Sequence, residues 1–71
     1  MIIYKNNACE NMNKIPKKAK VYGSIKYSDR TITYYEINGE VFKIDNKLYP
    51  VPVKLGLIER IGLKEVFGIK N

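Results

Sequence analysis

The chain has 71 residues and carries 13 Lys or Arg against 7 Asp or Glu, a formal charge of +6. A single domain of this size hides only about 60% of the surface its unfolded chain exposes, so a groove or a flat face is easier to build than a deep active site. With no histidine and one cysteine, Cys9, the sequence lacks the usual proton shuttle and excludes an internal disulfide and a cysteine-built zinc site.

Residues 1–18, MIIYKNNACENMNKIPKK, read as an N-terminal arm that becomes basic toward its end. No hydrophobic period is sustained there, and Pro16 biases Ile15 toward an extended conformation. Ile2, Ile3 and Tyr4 offer an alternative, a short edge strand. Met12 opens MNKIPKKAK, which would serve as a protein start in its own right and makes residues 1–11 an optional extension. The first residues turn polar too early for a signal peptide, and no apolar run reaches membrane-spanning length. A small chain without disulfides suits a reducing setting, so a cytoplasmic location is expected.

Residues 19–71 read as one small β-rich domain. Asn38-Gly39 is a strong hairpin signal, because a type I′ turn needs positive φ at both central positions. Centring the turn there pairs Ile37 with Glu40, Tyr35 with Phe42 and Thr33 with Ile44. A second turn at Asp45-Asn46 would pair Ile44 with Lys47, Phe42 with Tyr49 and Glu40 with Val51. For the first hairpin, a two-residue loop places Lys26 on the face of Tyr35 and Phe42. A three-residue loop, Ser28-Asp29-Arg30, places Val21, Ile25 and Tyr27 there instead, and burying aliphatic groups is favourable where burying an ammonium is not. The three-residue loop is therefore expected.

The outcome is an α+β fold: a small antiparallel four-stranded β-meander, with strands near 19–28, 31–37, 40–45 and 47–53, and a short C-terminal helical segment. Pro50 and Pro52 cannot both donate to a central ladder, so the fourth strand lies at an edge or ends there. In VKLGLIERIGLKEVFGIKN, Leu57, Ile58, Ile61, Leu63, Val66 and Phe67 recur at helical spacing, with Gly62 and Gly68 at capping positions. This predicts two short helices, or one kinked at Gly62, across the face of Tyr35 and Phe42. A strand over LIERI would instead push the fold toward a small barrel.

No catalytic constellation is legible. The acids are scattered, with Glu36 and Glu40 on opposite faces and Asp29 and Asp45 in turns. The glycines at 56, 62 and 68 lack the Gly-Lys-Ser/Thr ending of a phosphate loop. Cys9 has no neighbour that would activate it. The expectation is a chain that is not an enzyme and takes no cofactor or metal.

What remains is the second face of the sheet, carrying Tyr22, Ser24, Lys26, Ile32, Tyr34, Glu36, Val41, Lys43 and Leu48. Tyrosine interleaved with lysine is the chemistry that stacks bases and meets phosphates. The expected site is therefore Tyr22 and Tyr34 for stacking, with Lys20, Lys26 and Lys43, helped by Lys17 and Lys18, for phosphate contacts. Tyr-Lys pairs also stabilise bare sheet without any ligand. Ile32, Val41 and Leu48 on the same face fit a protein interface as well.

Two functions follow. The first is a small basic non-catalytic binding module that contacts nucleic acid or a nucleoprotein. The alternative is an inhibitor or adaptor of a bacterial host replication, transcription or defence protein, with a homodimer through the same face as a variant. Abundant Lys, Asn, Ile and Tyr with only two Arg suggest an AT-rich genome and a phage or mobile-element origin. No membrane partner is expected.

Overall fold

A computed structural model describes residues 1–47 and 51–69. Five antiparallel strands follow one another across an open sheet in chain order: β1 (Ile2–Lys5), β2 (Lys20–Lys26), β3 (Thr31–Ile37), β4 (Glu40–Asp45) and β5 (Val53–Lys54). A 3₁₀ helix, Cys9–Lys14, joins β1 to β2, and a helix α1 (Leu57–Val66) follows β5. The fold is the expected small α+β meander with a C-terminal helix, widened by one strand.

The β3–β4 hairpin forms as its turn dictates. Asn38 and Gly39 take φ of 53° and 79°, both positive as a type I′ turn requires. The register is Ile37↔Glu40, Tyr35↔Phe42 and Thr33↔Ile44.

The β2–β3 register differs from the three-residue-loop expectation. Ile25 pairs with Ile32 and Lys26 with Thr31, and Tyr27 N donates to Arg30 O at 2.8 Å. This is the alignment of the two-residue loop. The conflict over Lys26 is resolved in two ways. Lys26 sits at the exposed end of β2, where its ammonium stays in water. A bulge between Val21 and Gly23 then shifts the register, returning Val21 to a position opposite Tyr35 while Tyr22 enters the core on the other side. Ile25 is buried, but on the face opposite Tyr35.

The last strand also moves. Phe42 pairs with Lys54 and Lys43 with Val53, so β5 comprises residues 53–54 and not 47–53. Leu48, Tyr49 and Pro50, which the expected strand includes, lie outside the described residues. Asp45 and Asn46 use their side chains locally: Asp45 Oδ1 accepts from Lys47 N at 2.7 Å, and Asn46 Oδ1 accepts from Thr31 N at 2.9 Å.

Both faces of the sheet are covered, by opposite parts of the chain. On the face of Thr33, Tyr35 and Phe42, Tyr35 and Phe42 stack at 5.6 Å and the 3₁₀ helix docks beside them. Asn11 is fully buried, and its Nδ2 donates to Thr31 O at 2.9 Å and Thr33 Oγ1 at 3.0 Å. Thr33 Oγ1 also donates to Ala8 O at 3.0 Å. The stretch expected as an arm thus supplies an edge strand and a cover. The helix α1 lies on the other face, not across Tyr35 and Phe42. There Tyr22, Ile25, Val41, Leu55, Leu63 and Phe67 form the hydrophobic core.

Candidate partner-binding surface

α1 is one helix without a break at Gly62. It starts after Gly56, which is extended at φ −76° and ψ 172°. It ends in a Schellman motif: Gly68 has φ +67°, Ile69 N donates to Lys64 O at 2.8 Å and Gly68 N to Glu65 O at 3.2 Å. These bonds satisfy carbonyls that the last turn would otherwise orphan.

At about 100° per residue, Leu63 points to the sheet, and Phe67 just past the helix joins it in the core. Three more contacts fix the helix in place. Tyr34 and Phe67 lie with ring centroids 5.9 Å apart. Lys43 Nζ meets Glu59 Oε2 at 3.4 Å. Arg60 Nη2 donates to the carbonyl of Gly39 in the hairpin turn at 3.3 Å.

This placement decides what becomes of the expected tyrosine–lysine platform. Tyr34 and Lys43 do pair and share a face, but that face lies under α1. Tyr22 is 2% exposed, and its hydroxyl donates to Glu36. Burial first, then that hydrogen bond and the Glu36 charge, push its pKa up to about 12. Tyr34 is half-buried against Phe67, and Lys43 is half-buried beside Glu59. Tyr22 is thus closed to a stacking base, and Phe67 packs against the ring of Tyr34.

The remaining expected residues stay in water but not together. Lys17 and Lys18 are exposed in the turn before β2, and Lys20 is exposed opposite Glu36. Lys26 ends the same strand, roughly 20 Å away at the rise of a β-strand. Lys17, Lys18 and Lys20 form one basic cluster, and Lys26 belongs to the far end of the sheet.

A different surface stands out on the outer side of α1. Leu57 is 71%, Ile58 86% and Ile61 50% exposed. Their spacing of one and three residues puts three branched or long aliphatic side chains on the solvent side of the helix. Val51 and Val53, just before it, are exposed too. Isolated surface aliphatics are ordinary, whereas a cluster of them on one side of a helix is a feature that calls for an explanation. The helical period in the sequence was the signal, but it did not show which residues would face inward.

A hollow of about 460 Å³ opens between the 3₁₀ helix and β2, lined by Asn7, Met12, Ile15, Pro16 and Val21 among others. It holds no cluster of titratable groups. Among the described residues, no set of three or more Cys, Asp or Glu side chains is placed to hold a metal ion, and no helix is long and apolar enough to cross a membrane.

Comparison with known proteins finds no matching family model, no matching curated protein and no matching solved structure.

Proposed function

We propose that this chain is a non-catalytic binding module whose partner is a protein, engaged through the outer side of α1. The observation that carries this reading is the exposure of Leu57, Ile58 and Ile61 on a helix whose inner side already holds the core. Covering each of these side chains would contribute roughly 1.5–3 kcal/mol of apolar burial before the costs of association. An apolar helix face laid in a partner's groove is a recurring recognition mode. The charge of +6 favours a partner with an acidic rim, through faster encounter more than through affinity. A host-protein inhibitor of phage origin, as the composition suggests, fits this mode.

The test compares the wild type with Ile58→Glu and Ile61→Glu, introduced together. Both positions are exposed, so the thermal midpoint should hold within a few degrees. Capture of a stoichiometric protein from nuclease-treated bacterial lysate, retained at high salt and lost in the double variant, supports the reading. Equal capture by both proteins overturns it.

A nucleic-acid reading draws on a separate observation, the exposed cluster of Lys17, Lys18 and Lys20. Binding through these residues would weaken steeply with salt, with a log-log slope of roughly one per phosphate contacted. Fluorescence anisotropy with labelled single- and double-stranded oligonucleotides, repeated with all three lysines replaced by Ala, checks it. An unchanged affinity in that variant removes this reading and leaves the helix-face reading untouched.

A further inference from the structure

The two outer edges of the sheet are built very differently. β5 is two residues long. Leu55 N donates to Val41 O at 2.8 Å, so by the alternation of an antiparallel ladder residues 53 and 55 face β4 while 52 and 54 face outward. Position 52 is a proline, with no N–H to offer, and 54 is a lysine. Proline and lysine are the usual means by which an edge is made unfit for pairing.

β1 has no proline, and its single lysine, Lys5, stands at its C-terminal end, leaving Ile2, Ile3 and Tyr4 along the rest of the strand. Asn6 N donates to Tyr22 O at 3.0 Å, and the ladder continues Tyr4↔Ser24 and Ile2↔Lys26. These pairs face inward, so the N–H and C=O groups of Ile3 and Lys5 point away from the sheet. Ile2 is 53% and Ile3 41% exposed. The strand contains no bulge.

We infer that β1 is a self-pairing edge on which a second copy of this chain adds its own β1, antiparallel and about a two-fold axis at Tyr4. Such an edge is self-complementary, as an isologous contact requires. This register sets Ile3 against Lys5 of the second copy and gives four main-chain hydrogen bonds from those two residues. It stacks Tyr4 on its own equivalent across the axis. It also keeps the two Lys5 ammonium groups apart, whereas centring the axis on Lys5 would set them face to face, a destabilising like-charge pair. The contact is small for a stable interface, since a four-residue edge covers less than the ~800 Å² per partner of a standard complex. The dimer is therefore weak and dependent on concentration. Two chains of +6 repel one another, and salt screens that repulsion; dimerisation strengthens with salt, the opposite of nucleic-acid binding. The pairing does not rely on the outer side of α1.

Size-exclusion with light scattering, run from micromolar to millimolar protein at low and high salt, tests the pairing. The expected mass rises from 8.2 kDa toward twice that value, and further at high salt. Ile3→Pro removes only an outward N–H, so it should stay at the monomer mass with an unchanged far-UV spectrum, while Ile58→Glu should dimerise as the wild type does. Amide exchange in the wild type gives a reading that needs no variant: the Ile3 and Lys5 amides should gain protection as concentration rises, with Tyr4 protected throughout. A mass fixed at 8.2 kDa across the series, which leaves the edge to a strand from another protein, overturns the inference. So does an Ile3→Pro variant that dimerises as well as the wild type.

Discussion

Gly23 and Phe67 meet where the strand bulge passes beneath the end of the helix. A Cβ built on Gly23 would lie 2.5 Å from Phe67 Cε1 and would also collide with the carbonyl of Tyr4. The glycine has φ of +153°, a conformation that side-chain-bearing residues rarely adopt. One residue thus lets the bulge form, lets β1 approach, and lets Phe67 seal the core.

Gly23→Ala should therefore be among the most damaging single-methyl additions in the chain. Backbone strain and overpacking together are expected to cost roughly 2–5 kcal/mol. Urea denaturation followed by circular dichroism should show a much lower midpoint. A midpoint close to wild type would mean that Phe67 does not pack against this glycine.

The Tyr22–Glu36 pair predicts how stability responds to alkali. The folded state holds Tyr22 as the neutral phenol, with its pKa raised from 10.0 to about 12. The associated stabilisation is fully present below pH 10 and is lost as pH rises toward 12, amounting to up to about 3 kcal/mol. Burial raises Tyr35 in the same direction. Denaturation midpoints measured from pH 8 to 12 should fall above pH 10, and Tyr22→Phe should fall less steeply over that window. Parallel slopes would remove Tyr22 from the account.

Asn11 tests whether the N-terminal stretch is part of the fold. Its amide reaches Thr31, Thr33 and Ile44 from within the 3₁₀ helix. Asn11→Ala leaves buried acceptors without that donor and should cost about 1–3 kcal/mol. A protein begun at Met12 loses β1 and this amide together and should unfold at a lower temperature still. Equal thermal midpoints for the full and shortened chains would show that residues 1–11 add nothing to stability.

Gly62 offers the reverse case. It lies inside α1, and a Cβ there would meet nothing within 4 Å. Glycine inside a helix is worth roughly 0.5–1 kcal/mol less than alanine. Gly62→Ala should raise the midpoint by that amount, as read by thermal or urea denaturation; a fall would point to a helix that needs to flex at this position.

The parts of this fold that were legible in the sequence are those fixed by backbone chemistry at two adjacent residues. Asn38-Gly39 admits one tight turn, and the β3–β4 register follows from it. Asp45-Asn46 resembles a hairpin turn, yet its side chains bond to Lys47 and Thr31, and the partners of Phe42 and Lys43 are Lys54 and Val53 rather than Tyr49 and Leu48. Choosing the loop by Lys26 alone misled, because a strand can keep a lysine wet at its end and correct its register with a bulge; Gly23, a glycine within a strand, was the available signal. The side taken by α1 was not legible because both faces are apolar: Val21, Tyr35 and Phe42 on one, Ile25, Tyr34 and Val41 on the other. Asn11 was hidden for a different reason. An asparagine in a polar stretch looks solvated, and only the sheet's free carbonyls and hydroxyls make its burial favourable.

The sheet owes its two covers to segments from opposite ends of the described chain, and either can come away without the other. Release of α1 alone leaves the hairpins and the Asn11 side in place but strips Leu63 and Phe67 from Tyr22 and Val41. Such an opened form shows a greasy surface to whatever is near, so the pull that keeps α1 docked also keeps the protein from sticking to others.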